Sequence, residues 1–307
     1  MVRLMITTTK TGSLVTPPSQ RPTVLITGAT GTIGTALCQT LSNRGVPFRA
    51  MVRRPERASD LATLPGATVV AGDFDDPSSL ATALNGMEQA FLLTPSSAQA
   101  EAQQLHFVEE ARKAGVQHLV KLSQLAADAH SPVRFLRYHA VVENAIQASG
   151  LTYTFLRPNL FMQGLLGFRD LIRQQGALFA PINDASVSLI DIRDIADVAA
   201  TVLTQPGHAN QTYTLTGPQS LTHADLANAL GQALHRSVQF VYIPGEVMHQ
   251  ELLKAGFIDW QATGLVEDYA HYSRGEAAAV TDTVAAITGH PARPFAQFAA
   301  DYADWFR

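Results

Sequence analysis

The sequence has few cysteines and few charged residues, and each shortage excludes some classes of protein. Cys38 is the single cysteine among 307 residues, so disulfides play no part, and its position inside a helical pattern predicts core packing. Charged residues make up 16% of the chain and its net charge is −4, which argues against nucleic acid as a general partner. The ten histidines form no ligand-spaced cluster with cysteines or acids, so no metal site is predicted.

Long apolar runs are also missing, since none could span a bilayer. Hydrophobic residues still make up 46% of the chain, which is typical of a soluble globular enzyme with a substantial core. The first twenty residues are rich in Thr, Ser and Pro and lack acids. We expect residues 1–20 to form a flexible leader, with an arginine-poor transit peptide as the alternative, and we expect a cytoplasmic location.

A glycine-rich turn is the most informative segment of the chain. The apolar run 24–26 is typical of a buried strand, and residues 27–34 have the form Thr-Gly-x-x-Gly-x-x-Gly before an amphipathic helix. Gly28 would allow a tight turn, Gly31 the approach of a pyrophosphate, and Gly34 close packing of the helix on the sheet. An ordinary glycine-rich turn is the alternative. The predicted dinucleotide contacts here are Gly28, Thr30, Gly31, Thr32, Ile33 and Gly34.

Strand and helix patterns alternate along the first half of the chain. This alternation predicts a parallel sheet covered on both faces, with a ligand crevice at the carboxyl ends of its strands. The predicted strands are 23–27, 48–52, 67–71, 90–94, 117–123 and 152–157, and the predicted helices are 32–43, 57–64, 77–85, 99–114 and 138–149.

After Pro158 the alternation weakens, and a smaller, mainly helical lobe is predicted. We expect strands at 187–190 and 212–216 to rejoin the main sheet. The other predicted elements are helices at 161–174 and 194–203, a strand at 238–243 and further helices over 221–307. The predicted domains are a nucleotide-binding domain of 21–160 plus 186–217 and a substrate lobe of 161–185 plus 218–307.

Arginines at the end of the second predicted strand favour NADP(H) over NAD(H). The strand 48–52 is followed by Arg53 and Arg54, where an NAD-specific site usually has an acid that binds the ribose 2′-hydroxyl. Arginine suits a 2′-phosphate, and Arg53 can also stack on adenine. No acid precedes Glu56 in this region, so nothing nearby would repel the phosphate. An ordinary solvated loop is the alternative.

The next two predicted strands also end in candidate cofactor contacts. Asp73 can accept a hydrogen bond from the adenine amine while Phe74 covers the ring, whereas Asp75 and Asp76 are expected to cap the following helix. The fourth strand would pass its backbone beside the ribose and pyrophosphate at Leu93, Thr94 and Pro95.

These residues together resemble the NmrA-like group of atypical short-chain dehydrogenase/reductases, from Pro22 to the C terminus. Within that group the chain is most similar to NAD(P)H-dependent quinone oxidoreductases and triphenylmethane dye reductases. The motifs that carry the resemblance are Thr-Gly-Ala-Thr-Gly at 27–31, Val52-Arg53-Arg54, Gly72-Asp73, Ala114-Gly115-Val116, His139-x-x-x-Glu143, 154–159, Asp194-Ile195-Ala196 and 288–291. The resemblance implies a Rossmann-type doubly wound parallel sheet with a mainly helical C-terminal lobe. It also implies a nicotinamide flanked by Pro158, Asn159, Leu160 and Phe161.

The chain departs from the family at the catalytic tyrosine. Family members with ordinary reductase or epimerase chemistry use a serine and Tyr-x-x-x-Lys, in which tyrosine donates the proton. Counting back from Glu143 places His139 at the lysine position and Phe135 at the tyrosine position, while Ser123 is retained. Tyr138 is not a simple replacement, since one helical step rotates it about 100° from His139. The usual proton donor is therefore absent.

This loss favours conjugated, electron-poor acceptors over plain ketones. A ketone that receives hydride becomes a strongly basic alkoxide and needs an acid, whereas a quinone gives a stabilised phenolate and a cationic dye needs no proton. We therefore expect an NADPH-dependent reductase of a quinone, dye or enone-like acceptor, with Ser123 and His139 as catalytic candidates. A non-catalytic, NADP-binding redox sensor of the NmrA type is the alternative, and an epimerase or lyase is less favoured.

Several roles stay open at this stage. His139 could donate a proton, hold the nicotinamide ribose or be structural, and Glu143 is expected to be structural. Lys121 could contact the ribose or lie at a solvated strand end. Asp191 and Asp194 are expected to cap a helix and pair locally with Arg193.

The expected substrate is a small aromatic or conjugated molecule. No membrane partner is expected, and a homodimer is possible. Apolar lining is expected from Phe161, Met162, Leu165 and Phe168. Pocket closure or core packing is expected from Trp260, Tyr269, His271 and Tyr272.

Overall fold

A parallel sheet of seven strands is the centre of the computed structural model, which describes residues 22–307. The strands along the chain are β1 (Val24–Ile26), β2 (Phe48–Val52), β3 (Ala67–Ala71), β4 (Gln89–Leu92), β5 (His118–Leu122), β6 (Thr152–Pro158), β7 (Ala177–Ala180), β8 (Gln211–Leu215) and β9 (Gln239–Tyr242). The main sheet has the order β3-β2-β1-β4-β5-β6-β8, and all its pairings are parallel. The chain reverses direction across the sheet between β1 and β4, which is the Rossmann-type switch point. The predicted fold class is confirmed.

Helices cover both faces of this sheet. The α-helices of the described residues are α1 (Thr32–Asn43), α2 (Ser59–Ala62), α3 (Pro77–Leu84), α4 (Ala100–Lys113), α5 (Arg134–Ser149), α6 (Arg169–Gln175), α7 (Ile192–Thr204), α8 (His223–Leu234), α9 (Gly245–Lys254), α10 (Asp259–Ser273), α11 (Thr283–Thr288), α12 (Phe295–Asp301) and α13 (Ala303–Phe306). Helices α1 and α7 share one apolar core with the sheet, and α3, α4 and α5 share the other. Within residues 22–307, no helix has the length and hydrophobicity that a membrane crossing would need.

A third apolar cluster lies in the C-terminal part of the chain. It includes buried side chains of α8, α9, α10, α12 and α13, together with β7. Leu125 and Leu160, which follow the carboxyl ends of β5 and β6, pack against it. The cluster is therefore placed beside the edge of the sheet where a ligand crevice is expected. We propose that it forms the core of a substrate lobe.

Two strand expectations have opposite outcomes. The predicted strand at 212–216 joins the sheet as β8, which pairs with β6. The expectation that 187–190 rejoins the sheet is wrong, because this segment makes only isolated bridges at Val187 and Ile190. Its backbone N–H groups bond carbonyls of Leu221, Ala277 and Leu160 instead of a sheet neighbour. Strand β7 was not predicted, and it pairs with β9 in a separate two-stranded sheet.

Two predicted helices begin differently from expectation. The predicted helix 161–174 begins as a 3₁₀ segment, Met162–Phe168, which contains two glycines that disfavour an α-helix. Helix α5 begins at Arg134 rather than 138, just after Pro132, so its first turn includes the tyrosine-equivalent position.

The cap of helix α7 also differs from expectation. Asp191, not Asp194, caps this helix, and it pairs with Arg193 as expected. Asp194 pairs instead with the distant Arg293. Both acids are therefore structural.

The glycine turn after β1 is tightly packed. Gly28 has a φ of +62°, a backbone conformation that favours glycine. A Cβ on Gly34 would lie 2.1 Å from the carbonyl oxygen of Gly28. The Thr27 hydroxyl donates to the Phe91 carbonyl at 2.9 Å and accepts from the Leu93 N–H at 2.9 Å, which connects the turn to the end of β4. These contacts set the height of helix α1 above the sheet.

We expect Gly34→Ala to lower the free energy of unfolding by about 1–3 kcal/mol or more, because the new methyl group has no room beside the Gly28 carbonyl. Chemical denaturation would measure the loss. Gly164→Ala is the matched control, since a Cβ there meets no atom within 4 Å. Equal stability of the Gly34 variant and wild type would contradict this account of the turn.

Candidate active site

A cavity of about 310 Å³ lies at the carboxyl ends of β4, β5 and β6, beside the start of α1. The ends of parallel strands meet at one edge of a sheet, and side chains from distant stretches of sequence therefore converge there. The predicted site residues that line the cavity are Ile33, Leu93, Thr94, Ser123, His139, Pro158, Asn159, Leu160 and Phe161.

The remaining predicted cofactor residues do not line this cavity. They follow β1, β2, β3 and β4 along the same edge of the sheet: Gly28, Thr30, Gly31, Thr32, Gly34, Arg53, Arg54, Asp73, Phe74 and Pro95. No side chain caps the N terminus of α1. Its first backbone N–H groups are therefore suited to an anion.

Arg53 and Arg54 are exposed after β2, and neither guanidinium makes a hydrogen bond or ion pair with another residue of the described chain. Both groups are therefore available to a phosphate. Asp73 is half-buried and accepts a hydrogen bond from the Asp75 N–H at 3.1 Å. The ring of Phe74 is buried and packs against Phe107 with centroids 5.8 Å apart, and its contact with an adenine stays a prediction.

A buried lysine positions His139. Lys121 is fully buried, and its Nζ donates to the Leu122 carbonyl at 3.1 Å and lies 2.8 Å from Nδ1 of His139. When Lys121 is an ammonium group, which only donates, Nδ1 is the acceptor and the neutral imidazole carries its hydrogen on Nε2. The expectation that Lys121 lies at a solvated strand end is wrong.

The charge states of this pair follow from burial. Desolvation lowers the pKa of Lys121 to about 7, against the opposing charge of Glu143. The pKa of His139 lies well below its ordinary value. Desolvation is the larger cause, and the charges of Lys121 and Arg157 add to it. His139 is therefore neutral at physiological pH, and it offers a hydrogen bond rather than a readily released proton. Glu143 is buried and bonded to Arg157, which supports the structural role expected for it.

Ser123 has a buried hydroxyl without a partner. Its Oγ makes no hydrogen bond with any residue of the described chain, and the residue lines the cavity. A buried hydroxyl that stays unpaired costs free energy, which a ligand with a polar atom there would recover. The serine thus fits a site that is completed by a bound molecule.

Aromatic side chains of α5 form one wall of the cavity. Phe135 lines it at the tyrosine-equivalent position, which leaves no hydroxyl there. Tyr138 also lines it, with its ring centroid 4.2 Å from that of His139 and its hydroxyl 3.4 Å from Ser96. Tyr138 and His139 both line the cavity although one helical step separates them, so the cavity contacts more than one face of α5. Burial raises the pKa of Tyr138 to about 12.

Most residues of the cavity wall opposite α5 were not predicted from the sequence. Gln124 follows Ser123, and its Nε2 donates to both carboxyl oxygens of Asp268 on α10 at 3.0 and 3.1 Å. Asp268 directly follows another acid, Glu267, so the sequence does not single it out, and its partner Gln124 is 144 residues away. The lining residues that were not predicted are Ser96, Gln104, Leu122, Gln124, Leu265 and Asp268.

The aromatic residues of α10 have separate roles. Tyr272 lines the cavity, as pocket closure requires, whereas Tyr269 packs against His223 and Trp260 against Phe135. His271 bonds Glu276 outside the cavity. Among the expected apolar lining residues, only Phe161 reaches the cavity, because Met162, Leu165 and Phe168 pack in the third cluster.

The sheet order, the glycine turn and the cavity beside the switch point define a Rossmann-type protein with an attached ligand chamber. The model of the NmrA-like family matches most of the chain, over residues 20–280. The chain belongs to this family, as its motifs predicted.

Individual relatives cover the described chain almost completely. The NAD(P)H azoreductase of Xenophilus azovorans is 38% identical over 283 residues, 92% of this chain and 99% of the relative. The NADPH-dependent quinone oxidoreductase of Escherichia coli, in complex with NADPH, has a TM-score of 0.83 at 27% identity, covering 91% of this chain and 99% of that one. The triphenylmethane reductase of Citrobacter sp., in complex with NADP(H), has a TM-score of 0.82 at 29% identity with the same coverage.

We expect Lys121→Met to raise the pKa of His139, because the substitution removes the nearest positive charge while burial remains. The pKa should stay below the ordinary histidine value, since desolvation is the larger cause. An NMR titration of the imidazole would measure it. Lys113→Met on the exposed face of α4 is the control. An unchanged pKa would contradict the proposed contact.

Proposed function

We propose that the protein is an NADPH-dependent reductase that transfers hydride to a flat, conjugated, electron-poor acceptor such as a quinone, a dye or an enone-like molecule. The observation that carries this proposal is the cavity itself, in which apolar walls meet Ser123 and His139 while phenylalanine replaces the usual tyrosine. Relatives named as azo, quinone and triphenylmethane reductases support the same acceptor chemistry.

The cofactor would lie along the carboxyl edge of the sheet. The uncapped start of α1 and Gly31 would hold the pyrophosphate, and Arg53 with Arg54 the 2′-phosphate. Asp73 would accept a hydrogen bond from the adenine amine. The nicotinamide end would lie against Leu93, Thr94, Pro95, Pro158, Asn159, Leu160 and Phe161. When bound, NADPH supplies a hydride to the acceptor.

His139 would hold the nicotinamide ribose. Its Nδ1 is occupied by Lys121, so its Nε2–H is the donor that remains for a ligand. Because the imidazole is neutral, it would not act as the proton source. Ser123 would add a second hydrogen bond through its unpaired hydroxyl. Together they would fix the cofactor's ring against the sheet edge.

Positioning would supply most of the rate enhancement. Phe135, Leu160, Phe161 and Leu265 offer apolar surfaces that suit a flat ring and exclude water from the reacting faces. A conjugated acceptor spreads the charge it gains over its π system. Such an acceptor has less need of the hydroxyl that is missing at position 135.

The alternative, a redox sensor that only binds the dinucleotide, needs no room for a second molecule. Here Phe135 of α5 and Leu265, Asp268 and Tyr272 of α10 extend the cavity beyond the residues proposed to contact the nicotinamide. This arrangement favours turnover of a second molecule. We also place the activity in the cytoplasm.

We expect Arg53→Asp to weaken NADPH binding roughly 10–100-fold, the equivalent of about 1.5–3 kcal/mol for a charged hydrogen bond. NADH binding should change far less, because NADH lacks the 2′-phosphate. Fluorescence titration with both cofactors would measure the two affinities. Arg57→Asp, with the same charge change on a nearby exposed residue, is the control. An equal loss for both cofactors would refute the 2′-phosphate contact.

We expect NADPH oxidation with azo dyes, quinones and cationic triphenylmethane dyes, and little or none with a saturated ketone. The physical reason is that a conjugated acceptor delocalises the charge that hydride brings, whereas a saturated ketone localises it on one oxygen. Absorbance of NADPH at saturating acceptor would follow the reaction. Tight NADPH binding without oxidation by any conjugated acceptor would favour the sensor instead.

A further inference from the structure

One carboxyl group faces the cavity from the C-terminal lobe. Asp268 lies on α10 and is 5% exposed, and it is the single acidic side chain among the cavity's lining residues within 22–307. No Lys, Arg or His of the described chain forms an ion pair with it. Its two oxygens accept hydrogen bonds from the Gln124 amide alone among those residues. A buried carboxyl without a cation is costly as an anion.

We propose that Asp268 is the acid that protonates the acceptor after hydride transfer, with Gln124 as the residue that positions its carboxyl. This inference rests on the proposed reductase function and deepens it. The acid of the ordinary family site is missing from α5, and the structure offers a replacement from the opposite wall, which belongs to another part of the chain.

The surroundings of Asp268 favour its protonated form. The pKa of its carboxyl is raised to about 7, mainly by desolvation; the Gln124 hydrogen bond opposes the rise, and the charge of Glu267 adds to it. Glu267 itself is paired with Arg134 of α5. The other titratable groups that face this region are Tyr138 and His139 on α5, Tyr269 and Tyr272 on α10, and Arg137 toward Glu267.

The proposed step balances in atoms and electrons. Hydride brings two electrons and one proton to one atom of the acceptor, and the conjugated partner atom receives an electron pair. In an azo compound this atom is the second nitrogen, and in a quinone it is an oxygen. The O–H bond of Asp268 breaks as the new N–H or O–H bond forms, which gives a hydrazine or a hydroquinone. Water then protonates the carboxylate after the product leaves.

A cationic dye separates hydride transfer from proton transfer. Hydride neutralises such a dye, so the reaction consumes no proton and needs no acid. Asp268 should therefore matter for the reduction of azo compounds and quinones, whereas kcat for a triphenylmethane dye should not depend on it. This difference distinguishes a proton donor from a residue that only shapes the cavity.

The first test compares wild type with Asp268→Asn, which preserves the shape of the side chain. We expect kcat for an azo dye at pH 6.5 to fall at least tenfold, in line with general acid catalysis. Wild-type kcat should decline above about pH 7 as the carboxyl ionises, and the variant should lose this decline. Affinity for NADPH, measured by fluorescence, should be unchanged. Glu251→Gln, an exposed carboxyl of α9, is the matched control.

The second test uses Gln124→Met, which removes the amide that stabilises the carboxylate. The alkaline decline of kcat should then move to higher pH, because this hydrogen bond lowers the pKa of Asp268. A purely structural aspartate would not shift the profile. This variant also keeps the inference testable if Asp268→Asn fails to fold.

A third measurement does not depend on activity. The pKa of Asp268 is higher in the folded protein than in the unfolded chain, so wild type loses stability from this group as pH rises from about 4 to 7. Asp268→Asn lacks this loss. Denaturation midpoints should therefore show the variant gaining stability relative to wild type over that range, whereas Glu251→Gln should not.

Three results would overturn the inference. They are an unchanged pH profile in Asp268→Asn, an equal loss of kcat with the cationic dye, and a constant stability difference between pH 4 and 7. Failure of the proposed function has another signature, since wild type would then bind NADPH without oxidising it in the presence of any conjugated acceptor.

Discussion

The close approach between the first helix and the turn before it is the constraint on which the site depends. Gly34 can stand against the Gly28 carbonyl only because it has no side chain, and Thr27 bonds the same turn to the end of β4. These contacts determine where the helix's N–H groups point relative to the neighbouring strand ends. Ile33 on this helix lines the cavity, so the same contacts also position that part of the cavity wall.

Buried polar groups then specify the middle of the site. Lys121 and His139 share a hydrogen bond in the interior, and Glu143 with Arg157 forms an ion pair next to them. Burial of a cation is expensive, which makes an accidental arrangement of this kind unfavourable. In this arrangement the buried lysine holds His139 in one defined tautomer and orientation. His139 stands at the family's lysine position on α5, and a lysine on β5 lies behind it.

The cofactor half of the fold could be predicted because its signals are local. Strands β1 to β6 follow continuous apolar runs, and the glycine turn directly joins one strand to one helix. Nonlocal pairing explains the failures. The segment 187–190 has a strand-like pattern, yet its N–H groups bond irregular stretches of chain, and β7 depends on a partner about 60 residues away. Lys121 was misjudged because lysine is rarely buried.

The acid-bearing wall of the cavity comes from α10, whereas the glycine turn and its arginines lie at the opposite end of the chain. Side-chain hydrogen bonds from Gln124 to Asp268 and from Gln261 to the Ser96 carbonyl connect the sheet edge to that helix. The two halves can therefore diverge independently over evolution. Replacements along α10 would change which molecules are reduced without changing how the coenzyme is bound. One ancestral fold can therefore give enzymes with different substrate specificities.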